Sequence, residues 1–179
     1  MGNGGAQMTR QTTRQTKRRT ALILVVAGVV AAFPVAAQQA ASAGQCNADH
    51  VDLRWPGGQA RFTVEVADEA AERSKGLMFR EHMASASGML FVYDTPQRAT
   101  FWMKNTLIPL DMIFANATGK VTRVHTNAVP EDTTAIDGGE GVQYVLEINA
   151  GLARRMGISA GAEMRHPLIP EGVWPCTAE

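Results

Sequence analysis

The chain has 179 residues, 17 Lys and Arg against 17 Asp and Glu, 45% hydrophobic residues and only two cysteines. The formal charge is +0, and no basic patch with interleaved aromatics occurs. A default role in nucleic-acid binding is therefore excluded, and the length suits one domain behind a leader.

Met1 to Thr20 carries Arg10, Arg14, Lys17, Arg18 and Arg19 and no acidic residue; Ala21 to Ala37 is apolar throughout. Small residues follow, with Val35-x-Ala37 and Ala41-x-Ala43 both fitting a cleavage site. This order predicts a secretory signal peptide over 1–43, removed on export to a periplasmic or secreted location. The alternative is an uncleaved N-terminal segment that anchors the chain, because the apolar run is at the short end of what spans a bilayer. That segment is the only membrane contact expected. Gln45 before Cys46 is too large for a lipoprotein cleavage site. The leader holds five of the 17 basic residues and no acidic one, so the remainder has 12 against 17, a formal charge of −5.

The mature part is expected to run as an N-terminal strand and turn over 44–59, a core domain over 60–164 and a tail over 165–179. His50–Trp55 and Arg61–Val66 alternate apolar and polar residues around Pro56-Gly57-Gly58, which predicts a hairpin. Asp68 reads as a helix N-cap, with Glu69 and Glu72 in the first turn and Gly76 as the stop. Gly88–Tyr93 is an apolar run ending at Asp94-Thr95-Pro96, a buried strand, with Ala99–Lys104 as its expected partner. Leu110–Ala115 and Lys120–His125 form a second hairpin around Asn116-Ala117-Thr118-Gly119. The asparagine there also begins a glycosylation sequon. Val129–Gly141 reads as a long connection, Gln143–Ile148 as a central strand and Gly151–Met156 as a short helix. Short strands joined by Gly/Pro turns favour a single-domain β-sandwich or barrel with two or three short helices. Cys46 and Cys176, near the two ends of the mature part, read as a disulfide in an oxidising compartment.

Gly76-Leu77-Met78, Gly88-Met89-Leu90-Phe91, Phe101-Trp102-Met103-Lys104-Asn105-Thr106, Leu110-Asp111, Gly119-Lys120-Val121 and Val145-Leu146-Glu147 occur in that order. The series resembles the domain of unknown function 192 family from about Ala60 to Met164. The resemblance implies a mainly β, jelly-roll-like sandwich carrying short helices, and implies no activity. Where the family often has Gly-Asp near the end of the domain, this chain has Gly161-Ala162, with Glu163 one residue later.

The stretch Phe101–Thr106 concentrates the functional question. A strand ending near Lys104 would send Phe101 and Met103 to the core and leave Lys104 along the Trp102 ring, with Asn105-Thr106 fixing a turn. The sharper alternative makes Trp102, Lys104 and Asn105 contacts of a pocket, apolar surface with a few convergent donors. Asp111, Arg73 and Arg80 are the further candidate ligand contacts, and the expected ligand is an anionic or sugar-like small molecule. The leading expectation is a non-catalytic ligand-binding module without cofactor or resident metal. One alternative is a hydrolase or lyase using Asp111 and Glu147 as paired carboxylates. Another is copper binding through Met78, Met89, Met103 and His125, because thioethers suit Cu(I). Gly157-Ile158-Ser159-Ala160-Gly161 matches a nucleophile elbow in letters only, since a helix rather than a strand precedes it. His50, His82, His125 and His166 show no metal-ligand spacing.

Overall fold

The computed structural model describes residues 46–176. The leader expected over 1–43 lies outside them. Seven strands and two short helices follow in the order β1 (His50–Trp55), β2 (Gly58–Ala67), α1 (Ala70–Lys75), β3 (Ser87–Phe101), β4 (Leu110–Asn116), β5 (Val121–Ala128), β6 (Ile136–Asn149), α2 (Leu152–Met156) and β7 (Glu163–Arg165). They form one sheet in the order β5-β4-β6-β3-β2-β1-β7. All neighbours are antiparallel except β2 and β3, which run parallel across the α1 connection. The chain is mainly β and its sheet curls into a half-barrel. Among the described residues no helix is long and apolar enough to cross a membrane.

The alternation in β1 and β2 does what its pattern dictates. Val51, Leu53, Phe62 and Val64 all enter one core cluster, with Trp55 packed at its margin. The three central strands differ, because both of their faces are covered. Leu90, Ile113, Leu146 and Ile148 belong to that first cluster, on the inside of the curl. Met89, Phe91, Met112, Phe114 and Val145 belong to a second cluster on the opposite face, completed by Leu77, Ala99 and Met103. Fully burying each such side chain stabilises the fold by about 1.5–3 kcal/mol.

Three sequence expectations change here. Ala99–Lys104 is not the hairpin partner of Gly88–Tyr93. Both belong to one 15-residue strand, β3, whose partner is β6. The turn signals at Asp94-Thr95-Pro96 are absorbed as register shifts between Val92 and Thr100, the bulged geometry that bends a strand without ending it. Likewise half of the expected 129–141 connection is strand, with Gly139 (φ 87°) and Gly141 (φ 70°) supplying the left-handed backbone that the bulge needs. The helix cap also moves by one residue. Glu69 is the N-cap of α1 and forms a reciprocal capping box with Glu72.

The two ends of the described segment are tied together. Cys46 and Cys176 form the expected disulfide. His166 is buried, with Nε2 2.8 Å from the Ala48 carbonyl and Nδ1 accepting from the Leu168 amide. That pattern fixes the neutral Nε2–H tautomer. Arg165 Nη2 donates to Asp52 Oδ2 at 2.7 Å, and Arg61 bonds the same carboxylate. Trp174 stacks on Arg165 and Arg54, with guanidinium carbons 4.1 and 4.6 Å from the ring centroid. Within the stretch expected as a tail, Arg165, His166 and Ile169 are therefore buried, Ile169 in the inner core.

Candidate functional site

The loops after α1 and after β3 meet over the outer face of the sheet. Gly76 ends α1 at φ 48°, ψ −137°, a conformation open to glycine alone, and a Cβ there would lie 3.1 Å from the Phe91 ring. The turn lets Leu77 drop into the outer core beside Phe91 and Met103. Phe79 N–H then donates to the Asn105 carbonyl at 2.8 Å, which ties the two loops together. A third loop joins them: Met103 N–H donates to Asp132 O, and Glu131 N–H donates to Thr106 O. All four non-glycine residues with positive φ, namely Phe79, Asn105, Asn127 and Glu131, lie in or beside these loops among the described residues. Such backbone costs of order 1–3 kcal/mol per residue and concentrates where local geometry is over-determined.

Phe101–Thr106 divides as the packing pattern predicts. Met103 is buried and Phe101 packs against the outer core, its ring edge-on to Phe91 and Phe114. Lys104 Nζ lies 5.3 Å from the centroid of the Trp102 ring. Asn105, at φ 56°, makes the turn, and its side-chain amide reaches the Met78 sulfur at 3.9 Å.

Between α1 with Gly76-Leu77-Met78 on one side and Trp102 on the other runs a groove of about 290 Å³. Its walls include Arg73, Lys75, Phe91, Tyr93, Thr100 and Phe101, and Glu147 lies at its base. Arg73 is held in place: it donates to the carbonyls of Asp68 and Val92, the latter at 2.9 Å, and its guanidinium carbon sits 5.3 Å from the Tyr93 centroid. Trp102 is 51% exposed at the rim.

Glu147 is the group that the fold does not explain. Register places it between Met89 of β3 and Met112 of β4, in a row that continues to His125 of β5. It is 5% exposed, and among the described residues no hydrogen bond or ion pair reaches its carboxyl. Desolvation by burial raises its pKa to about 8, so at neutral pH it is a carboxylic acid, able to donate as well as accept. Tyr93 is pushed up by burial first, with the Arg73 charge opposing and Glu147 adding.

The other candidates go elsewhere. Asp111 is fully buried on the inner face, where Oδ1 accepts from the amides of Asn127 and Gly151 at 2.8 and 2.9 Å and Oδ2 from Ala153 at 2.9 Å. It joins the end of β5 to the start of α2 and takes no part in the groove. Asp111 pairs in register with Ile148, and Glu147 with Met112. Successive side chains on a strand point to opposite faces, so the expected Asp111–Glu147 acid–base pair is not formed. Arg80 is bonded to Glu65 over a neighbouring hollow. Lys104 touches the site only through Trp102, and Asn105 through Met78. Of the six expected ligand contacts, Arg73 and Trp102 line the groove. Met89 and Met103 fill the outer core. Met89 and His125 are three strand spacings apart, about 14 Å. Among the described residues no group of three or more His, Cys, Asp or Glu is placed to hold a metal ion.

Lys75, Tyr93 and Thr100 belong to the groove and were not among the expected contacts. Tyr93 follows Phe91 by two residues and so shares its face, a signal present in the sequence. Asn116 acts as turn chemistry: its side-chain oxygen accepts from the Thr118 and Lys120 amides and the Thr118 hydroxyl.

The fold and this groove define a small curled-sheet domain carrying a recessed acid. Residues 53–166 match the DUF192 family model, described as "Uncharacterized ACR", and the chain belongs to that family. It is similar to the crystal structure of a protein of unknown function from Novosphingobium aromaticivorans DSM 12444, at 43% identity and a TM-score of 0.63, over 64% of this chain and 82% of that one. It is also similar to a protein from Sinorhizobium meliloti 1021 described as a candidate transcription regulator, at 40% identity and a TM-score of 0.63, over 67% of this chain and 94% of that one. No curated protein matches the sequence.

Proposed function

We propose that the chain is an exported, non-catalytic domain that captures a small ligand in the groove between Gly76-Leu77-Met78 and Trp102, above Glu147. One observation carries this reading. The Glu147 carboxyl, 5% exposed and without a hydrogen-bonding partner among the described residues, opens into a groove walled by Arg73, Tyr93 and Trp102. A ligand in the groove can supply the hydrogen-bonding partner that the described part of the fold does not. Apolar walls with a few polar groups are the usual composition of a small-molecule site. The disulfide and the leader-like N-terminal sequence favour export to the periplasm or beyond. On the fold, the bridge between Lys120 and Glu163 and the Val121–Ala162 hydrogen bond favour a barrel over a jelly-roll sandwich.

A hydrolase or lyase reading has less behind it, because the second carboxylate in Glu147's row, Glu65 two strands away, is held by Arg80 over the neighbouring hollow. The copper reading has less too, because Met89 and Met103 are packed in the core and Met89 lies three strands from His125. The test is a thermal-shift screen of organic acids, sugars and peptides on the mature domain and on Trp102→Ala. A ligand at 100 times its Kd stabilises by about 2.7 kcal/mol. The reading requires a ligand that shifts the wild type and shifts Trp102→Ala less. If every ligand found acts equally on both, the groove is not the site.

A further inference from the structure

The groove's polar groups are unequal in kind, and the imbalance narrows the ligand. Arg73 and Lys75 bring positive charge and N–H donors. Ser74, Tyr93 and Thr100 bring hydroxyls. Among the described residues Glu147 is the only carboxyl in the lining, and in its protonated form it too can donate. Beside these groups lie the faces and edges of Phe91, Phe101 and Trp102. A cation would meet Arg73 and Lys75 at the rim and gain only one recessed acid. A neutral polyol would make no use of the charge that Arg73 and Lys75 bring to the groove. An anion with a flat or apolar body uses every group present.

We infer that the groove takes a small organic carboxylate, whose oxygens accept from the Glu147 carboxyl and face the Arg73 and Lys75 cations while its body lies against Trp102 and Phe101. This rests on the groove being a ligand site and names the class of its ligand. The two carboxyl groups share one proton, so capture is coupled to protonation: a ligand carboxylate opposite an ionised Glu147 would place two like charges together. The groups facing Glu147 are Tyr93 from β3, Arg73 and Lys75 from α1, and the uncharged Met89 and Met112 from the neighbouring strands. Lys104 stands outside, over Trp102. Among the described residues no other carboxylate lines the groove, and Glu65, two strands away in the same row, is held by Arg80. By linkage, affinity is constant while Glu147 keeps its proton and falls as pH rises past its titration.

The probe is benzoate, with benzamide as a neutral isostere and glucose as a polyol. Titration calorimetry on the mature domain runs from about pH 6 to about pH 9, spanning the Glu147 titration. Benzoate should bind best at the acid end and weaken at least fivefold at the alkaline end, and benzamide should bind more weakly than benzoate near pH 6. Glu147→Gln keeps a donor in place but does not ionise, so it should bind benzoate with a flat pH profile. Lys75→Met, an exposed change, should weaken benzoate and leave the shape of the pH profile intact. If benzamide or glucose binds as well as benzoate with the same pH profile in wild type and Glu147→Gln, the carboxylate class is wrong and the groove remains a site. If no probe binds and Trp102→Ala also leaves the response to a wider screen unchanged, both readings fall.

Discussion

Asp111 and Glu147 lie one register step apart on neighbouring strands and point to opposite faces of the sheet. Both are buried acids, yet their surroundings differ in kind. Asp111 accepts three backbone N–H bonds; Glu147 accepts none from the described residues. The first carboxylate is consumed by the fold. The second is left to the groove.

Asp111→Ala should therefore destabilise the domain by about 3 kcal/mol or more, because three amides, two of them in buried bonds, lose their acceptor at once. Ligand binding by the molecules that stay folded should be unchanged. Urea unfolding reads the first and calorimetry the second. A loss under about 0.5 kcal/mol would show that α2 and the end of β5 do not depend on this carboxylate.

Glu147 sets a pH dependence of opposite sign to the usual carboxylate. Its folded pKa, about 8, lies above the unfolded value of about 4.5. In that window the unfolded chain holds fewer protons than the native one, so stability falls as pH rises. The contribution is fully present below about 4.5 and lost by about 8. Glu147→Gln should remove this slope and exceed the wild type in stability at alkaline pH by a few kcal/mol. His166 works from the other side. Burial lowers its pKa, opposed in part by its bond to Ala48. Its stabilisation is thus lost as pH falls below about 6.5. Thermal melts across pH, for wild type and Glu147→Gln, separate the two.

Gly88 lies where β3 and β6 pass closest. A Cβ there would come within 2.4 Å of the Glu147 carbonyl oxygen. Backbone cannot yield cheaply at that distance, so Gly88→Ala should destabilise by about 2 kcal/mol or more. Phe79 offers the opposite test. Its side chain is 66% exposed on a backbone at φ 65°. Phe79→Gly relieves left-handed strain of about 1–2 kcal/mol against a smaller gain in unfolded-chain entropy, so stability should hold or rise slightly. Chemical denaturation of both variants checks the pair.

The disulfide closes a loop across a sequence separation of 130 residues. In the chain-entropy model its removal costs about 4–5 kcal/mol. The Cys46→Ser, Cys176→Ser double variant should melt well below the wild type in non-reducing buffer, and the wild type should show no free thiol until reduced.

Some of this was legible in the residues. Met103 and Phe101 read as core, and Lys104 as lying along Trp102, because alternation and side-chain chemistry are local. The disulfide followed from cysteine number and place. The long strands β3 and β6 were not legible. Asp94-Thr95-Pro96 and Gly138-Gly139 punctuate a sequence as turns do, and only pairing partners distant in the chain turn them into bulges. The sheet order is equally non-local. Asp111 could not be told from a catalytic acid, because its three amide donors come from residues 16 to 42 positions away. A charged residue inside an apolar strand usually points to water or is paired; Glu147 is 5% exposed and has no partner among the described residues. The clue lay in Gln143–Ile148, whose apolar residues fall on both faces, so that no face of the strand offered water to a charge.

The most direct test is a pH titration of the Glu147 side-chain carboxyl by carbon NMR, with Glu147→Gln to assign the resonance. The account predicts a midpoint near 8, moving higher when benzoate occupies the groove. A midpoint in the ordinary glutamate range, about 4.3, unmoved by any ligand, would contradict it.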